Sequence, residues 1–232
     1  MASTRAPSAA AKIDSLMEDA SEALVSTRCF ECERLCAEAL ALAHQSQDYE
    51  RMARILMPLQ EARRLKRQNA IDAGVVTRID SYENLEPLLS GAKPIRPGFY
   101  LIEPPLVGAD GRELRERANS AETPVVVVVR EPVTQTGHWP IVMVGPVTVR
   151  TRVDPAPKKL TARWLLEAGE ALGDAALAGI SPELPAADRA EKLLAALYAV
   201  VDHEKLHQTL ADACTRAAHD QLAAAERKKA RQ

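Results

Sequence analysis

The sequence predicts an α+β protein with an N-terminal helical hairpin, a small central β-sheet that carries one short helix, and C-terminal helices. Apolar residues recur at spacings of three and four from Ile13 to about Ala70, which is the period of an amphipathic helix. Short apolar runs bounded by Gly and Pro fill the middle of the chain and are typical of strands. After Pro185 neither Gly nor Pro occurs, which favours helix again.

The composition is that of an ordinary globular protein, with 47% hydrophobic and 27% charged residues among 232. Aromatic residues make up only 3%, so we expect closely packed helices and a core of Ala, Leu and Val. The formal net charge of −2 provides no global attraction for nucleic acid or for an acidic membrane. Binding of either would need a local patch of charge.

Changes in residue composition and in the spacing of apolar residues divide the chain into four regions. A start rich in small and polar residues predicts an unstructured tail, and the stretch "DPAPKK" predicts a linker before the last helices. The predicted regions are residues 1–13 for the tail, 14–72 for the helical hairpin, 75–153 for the sheet and 158–232 for the C-terminal helices.

The chain shows no feature of a secreted or membrane protein. Its start lacks the apolar core of a signal peptide, and the longest apolar run, "PVVVVV", is far shorter than the roughly 20 residues that span a bilayer. Three of the four cysteines lie within eight residues, unlike a secreted disulfide framework. We therefore expect a cytoplasmic protein that has no membrane partner.

Three apolar runs, 98–103, 124–131 and 140–153, predict strands in a sheet of three to five. The consecutive valines from Val125 to Val129 predict a central strand buried on both faces. Gly145-Pro146 interrupts the last run, which is therefore either a bulged edge strand or a hairpin. Between the first two runs, "DGRELRERA" predicts a short helix with Asp110 as its N-cap.

The stretch "CFECERLCAEALALAHQSQDYERMARILMPLQEARRLKRQ" resembles a tetratricopeptide repeat, with the resemblance covering residues 20–67, about one and a half repeats. Phe30 and Ala39 fall where the second helix of that repeat carries its aromatic and small residues. The pattern departs from the family where Thr27 and Glu61 stand near the usual Gly. The resemblance implies a protein-binding helical module, whereas the residues themselves also fit a simple antiparallel hairpin that buries a small-residue face.

The segment "DHEKLH" contains His203-Glu204-x-x-His207, which resembles the motif of zinc peptidases. The resemblance implies that His203 and His207 bind zinc and that Glu204 takes a proton from the metal-bound water. The residues also fit a helix capped by Asp202, because His203 and His207 then share the buried face. Residues 186–232 are read as one long helix or as two helices broken near Asp202.

Cys29, Cys32 and Cys36, with His44 as a fourth candidate, have the residue types of a metal site. On a helix the same spacing places the three sulfurs on one stripe, where they pack as small apolar residues. We expect reduced, mostly buried thiols without metal.

Two further stretches are candidate binding sites. The basic residues Arg63, Arg64, Lys66 and Arg67 form a patch that either contacts phosphate or is simply a solvated helix end. The polar loop "EPVTQTGHWP", 131–140, ends in His138-Trp139 and lies between two strands, where binding residues often occur.

The leading hypothesis is a non-catalytic protein-interaction or assembly module, with no cofactor and another protein as partner. One alternative is a zinc-dependent hydrolase that uses His203, Glu204 and His207. A second alternative is a nucleic-acid-associated regulator that uses the basic stretch. Self-association into a homo-oligomer stays open.

Overall fold

The computed structural model describes residues 8–133 and 137–231, and this part of the chain has the predicted α+β architecture. It contains eight helices and five strands. In chain order these are α1 Ala9–Val25, α2 Cys29–Gln45, α3 Tyr49–Ala73, β1 Val76–Ile79, α4 Tyr82–Leu89, β2 Gly98–Ile102, α5 Gly108–Ser120, β3 Val125–Arg130, β4 Trp139–Val144, β5 Thr148–Val153, α6 Ala162–Ala178, α7 Ala186–Ala199 and α8 Glu204–Lys229.

The chain forms two compact units, and each is assembled from separate stretches of sequence. The helical unit contains the chain up to Arg63, Pro182–Glu191 and the chain from His207 onward. The sheet unit contains Arg64–Ser181 and Lys192–Leu206. The divisions fall inside α3, α7 and α8, so the units do not coincide with the four regions that the sequence predicts.

Three helices, rather than a two-helix hairpin, form the N-terminal part of the helical unit. The turns after α1 and α2 are alike, with Thr27 and Gln47 in the left-handed region at φ of 57° and 53°. In both turns the following N–H bonds to the carbonyl five residues back, as in a Schellman motif: Arg28 to Ala23 at 2.8 Å and Asp48 to Ala43 at 2.9 Å. Neither turn contains Gly, and for this reason the sequence shows no break there.

The first helix begins earlier than the sequence predicts. Residues 1–7 lie outside the described residues, but α1 starts at Ala9 rather than after a tail ending at residue 13. The Ser8 hydroxyl accepts a hydrogen bond from the N–H of Ala11 at 3.2 Å, as an N-cap does. Ile13 is fully buried, so the first turns of α1 belong to the packed unit.

The five strands form one sheet in the order β1-β2-β3-β4-β5. β1, β2 and β3 are parallel and are connected by α4 and α5, whereas β3, β4 and β5 are antiparallel. Gly98 begins β2 at a φ of 135°, and a Cβ atom there would overlap the carbonyl of Val75. Only glycine fits this position without strain.

The prediction of a central valine strand is confirmed for Val126 to Val129, which are buried in the middle strand, while Val125 is half-buried. α5 covers one face of the sheet, where Gly108 and Gly111 lie against valines of β3 and β4. α6 packs on the sheet as well and lies against Val126, whose side chain points away from α5.

Several predicted details of the sheet unit are corrected. Asp110 is the third residue of α5, and its Oδ2 accepts the N–H of Val107 at 2.7 Å from inside the helix rather than capping it. For the run interrupted at Gly145-Pro146, the second of the two predicted alternatives holds: it is a hairpin whose turn contains Gly145. The sheet unit also contains a second helix, α4, and a first strand, β1, neither of which the sequence predicts.

The chain after Pro185 forms two helices, which settles the alternative of a break near Asp202. α8 begins at Glu204, so His203 precedes its first helical residue and Asp202 lies in the turn. The predicted cap position therefore shifts by one residue. Within the described residues, no helix combines the length and apolar character that a membrane span requires.

Candidate functional site

His203 lies in the interior of the sheet unit. Its side chain is almost completely buried, with Nε2 3.4 Å from Glu170 Oε2 and 3.5 Å from Asp174 Oδ1. Gly173 of α6 faces the ring, and a side chain at this position would occupy the same space. Burial lowers the pKa of His203 below its ordinary value of 6.5, although the two carboxylates act in the opposite direction. A neutral imidazole is therefore favoured in the folded protein.

Glu204 is held by an arginine instead of being aimed at a reacting group. Arg67 donates to Glu204 Oε1 at 2.5 Å, to Glu170 Oε1 at 3.1 Å and to the carbonyl of Asp202 at 3.1 Å. These contacts fix Arg67, one of the residues of the predicted basic patch, as a structural link between α3, α6 and the start of α8.

His207 lies in the helical unit beside a buried ion pair. Arg63 Nε donates to Glu33 Oε1 at 2.8 Å, and Arg63 Nη1 lies 3.2 Å from His207 Nε2. All three side chains are buried. Because a guanidinium only donates hydrogen bonds, His207 Nε2 accepts here, which requires the neutral tautomer with its proton on Nδ1.

These positions do not suit a catalytic zinc. The two histidines do not both lie on α8, since His203 precedes it, and the Nε2 atom of His207 faces the Arg63 cation. Among residues 8–133 and 137–231, no group of three or more His, Cys, Asp or Glu side chains is arranged to hold a metal ion. The expectation that the chain carries no zinc stays a prediction.

The predicted basic patch is not one exposed surface. Arg63 is buried in its ion pair with Glu33, and Arg64 is exposed. Lys66 donates to Asn119 Oδ1, and Arg67 is held by Glu170 and Glu204. Successive residues of a helix point in different directions, so a basic run in sequence does not become a basic surface.

The three clustered cysteines lie on α2 as predicted and are buried free thiols. The Sγ atoms of Cys32 and Cys36 are 4.0 Å apart, and Cys32 also contacts the carbonyl of Pro58 at 3.8 Å. The hydrogen bond to Cys32, together with burial, raises the pKa of the Cys36 thiol. His44, the suggested fourth ligand, instead binds Glu191 at 2.8 Å.

His138 and Trp139 mark the described end of the predicted binding loop, of which residues 134–136 lie outside the described residues. Trp139 is the first residue of β4 and meets Trp164 of α6 edge to face, with ring centroids 5.6 Å apart. The Arg130 guanidinium lies over the Trp139 ring at 4.7 Å. His138 Nδ1 is 3.2 Å from Asp154 Oδ1. Trp139 therefore packs on the sheet unit.

A groove in the helical unit is the feature that sequence reasoning missed. We call it the helical groove; it has a volume of about 920 Å³ and is lined by α1, α3 and α8. Its apolar wall includes Met17, Leu24, Met57, Pro58 and Ala211. Met57 is 77% exposed, which is unusual for a large apolar side chain in the middle of a helix.

Polar groups surround this apolar wall. Arg54, Glu61 and Asp212 line the helical groove, as does the buried ring of His207. Pro58 lies inside α3 and has no N–H, so the carbonyl of Arg54, four residues earlier, lacks its α-helical donor. The only sequence signal for this site was Met57-Pro58 within an otherwise helical pattern.

No family model, curated protein or solved structure matches the chain at a significant level, so the site rests on its geometry alone.

Proposed function

We propose that the chain is a non-catalytic protein-interaction module, in which the helical groove holds an amphipathic helix of a partner protein. The observation that carries this proposal is the exposure of Met57, at 77%, in a groove whose lining also includes the apolar side chains of Met17, Leu24 and Pro58. An unbranched thioether adapts to differently shaped apolar partners at low cost. Exposed apolar surface rimmed by polar groups is typical of interaction sites.

The shape of the groove favours a helical partner over an extended one. α1, α3 and α8 all contribute lining side chains, and Met17, Ser21 and Leu24 of α1 follow the helical spacing of four and three. A partner helix places anchors on one face at the same kind of spacing and fills such a groove along its length. The volume of about 920 Å³ accommodates several side chains.

Charges beside the groove favour a partner helix with basic flanks. Glu61 and Asp212 outnumber Arg54 among the charged residues that line it. Lysine or arginine beside the apolar stripe of the partner would meet these carboxylates, chiefly improving association rate and specificity.

Two further observations support the proposal. The resemblance to a tetratricopeptide repeat is in keeping with the turn after α1, where Thr27 adopts the left-handed conformation that the family's Gly favours. The buried free cysteines fit a reducing compartment, so we include a cytoplasmic location in the proposal.

A display library of amphipathic helical peptides provides the test, because the natural partner is not needed. Peptides selected on the full chain should bind with an affinity that falls at least about ten-fold with Met57→Arg, since the charge enters the apolar wall. Leu222→Arg is the matched control, because Leu222 is also exposed, at 63%, and does not line the groove. Binding is measured by fluorescence polarisation.

The proposal is wrong if selected helical peptides lose equal affinity with both variants, or if Met57→Arg leaves their affinity unchanged. A library that yields no helical binder would also count against it.

A further inference from the structure

The strand β5 leaves one side of the sheet open. It pairs with β4 and lies at the end of the strand order. Within residues 8–133 and 137–231, no backbone hydrogen bond reaches Thr148–Val153 from the side opposite β4. Alternate residues of an edge strand direct their N–H and C=O groups outward, where another extended chain can pair with them.

Two depressions flank this edge on opposite faces of the sheet unit. One, of about 490 Å³, is lined by Glu131, Pro140, Arg150 and Arg152, and Pro140 and Arg152 are direct cross-strand partners. The other, of about 350 Å³, is lined by residues at the end of β5 and on α6: His138, Arg152, Val153, Asp154, Trp164 and Glu167. Side chains of an added strand alternate between the two faces and would enter both.

The strand β5 itself carries two positively charged side chains. Arg150 and Arg152 are two residues apart, so they project from the same face, and both are exposed. Arg150 bonds to Glu131 at 3.1 Å in an exposed pair that contributes little to stability. Among the described residues, Arg152 has no ion-pair partner. Lys158 and Lys159 follow the strand and are also exposed.

We propose that β5 binds an extended, acidic segment of a partner protein by strand addition. This site lies in the sheet unit and does not depend on the helical groove. Backbone hydrogen bonds to the open edge supply affinity, and the two arginines supply selection for acidic residues. Arginines on an edge oppose pairing with a basic strand, because like charges would then lie opposite each other. The β5 of a second copy is such a strand.

The geometry specifies the pattern of the partner segment. Residues directly opposite Arg150 and Arg152 lie two apart in the added strand and share their face, so Glu or Asp is expected there. The residues between and beside them face the α6 side, where the second depression contains Trp164. The fitting sequence therefore alternates acidic residues with apolar or hydroxyl-bearing residues.

A labelled peptide of about nine residues, with Glu alternating with Thr and Val, serves as the probe. The full chain should bind it at about 0.1 M salt, and a peptide with Lys in place of each Glu should not bind. Arg152→Glu is expected to weaken binding at least about ten-fold, with a smaller loss for Arg152→Gln. Arg112→Glu is the matched control, because Arg112 is an exposed arginine of the same unit on α5.

Two N-methylated peptides separate strand addition from simple charge attraction. One carries methyl groups on the odd backbone nitrogens and the other on the even ones, and the two have the same charge. In an added strand only one set of N–H groups faces β5, so one peptide should lose binding and the other should retain it.

Equal binding of the two methylated peptides would overturn the proposal, as would unchanged binding by Arg152→Glu. Displacement of the probe by a single-stranded oligonucleotide, with no effect of either methylation, would point to nucleic acid instead. If the chain forms a dimer that the probe dissociates, a second copy covers β5, and this result would also contradict the proposal.

Discussion

Gly173 of α6 lies directly against the imidazole ring of His203, so that a Cβ atom added at Gly173 would come within 2.5 Å of Nδ1. Gly169, one helical turn earlier, has open space around the same position. The two glycines have the same helix propensity and differ in what lies beside them. Their contrast isolates the contribution of this one contact to the stability of the sheet unit.

Gly173→Ala should lower the free energy of unfolding by roughly 1 to 3 kcal/mol, because overlap with the buried ring outweighs the gain in helix propensity. Gly169→Ala should instead raise it by up to about 1 kcal/mol. Urea unfolding measures both. In a double-mutant cycle, His203→Ala should remove most of the penalty at Gly173; additive effects of the two changes would contradict the assigned contact.

The stability of the chain should fall as the pH decreases below about 6.5, because the pKa of His203 is lowered on folding. Above its ordinary pKa the imidazole is neutral in both states, and below it the unfolded chain binds a proton first. Urea unfolding at about pH 7.5 and pH 5.5 should show this loss, and His203→Gln should reduce it. Parallel pH profiles for the two proteins would assign the loss to other groups.

Arg63→Leu should lower the free energy of unfolding by about 3 to 5 kcal/mol, since the buried Glu33 carboxyl would lose its guanidinium partner. The double variant Arg63→Leu with Glu33→Leu should recover a large part of this loss, because it also removes the buried carboxyl group that has lost its partner. Denaturant unfolding of the four proteins measures the coupling. A double variant as unstable as the sum of the single ones would argue against the buried pair.

The purified chain should contain far less than one zinc per molecule, because His203 and His207 have separate environments and Arg63 faces His207. Elemental analysis after dialysis against zinc tests this. Glu204→Gln should cost at most about 1 kcal/mol, as expected for a partly exposed ion pair with Arg67. Stoichiometric zinc that is lost with His207→Ala would make hydrolysis the leading hypothesis.

The parts of the fold that the sequence predicts correctly have long, uniform patterns. Val126 to Val129 could be assigned to a buried central strand because four β-branched residues leave no polar face. β1 could not be assigned, since Val76–Ile79 is only four residues long and includes an exposed Arg78. α4 contains Pro87 in its last turns, which hides its helical period.

The candidate sites were harder to predict because they depend on contacts between distant segments. Nothing near Arg63 in sequence indicates that it pairs with Glu33 and meets His207. The helical groove requires α1, α3 and α8 to be placed together, and in the sequence it is marked only by Met57-Pro58 within a helical pattern. Local periodicity identifies a helix face but does not identify what covers it.

The discontinuity of the helical unit has a consequence for synthesis of the chain on the ribosome. α1, α2 and most of α3 emerge first, but Leu210, Ala213 and Cys214 of α8, which are buried in the same unit, are translated after the whole sheet. The faces of the early helices that pack against α8 therefore stay exposed while the sheet unit is being translated. We expect this interval to be the time at which the nascent chain most needs protection by chaperones.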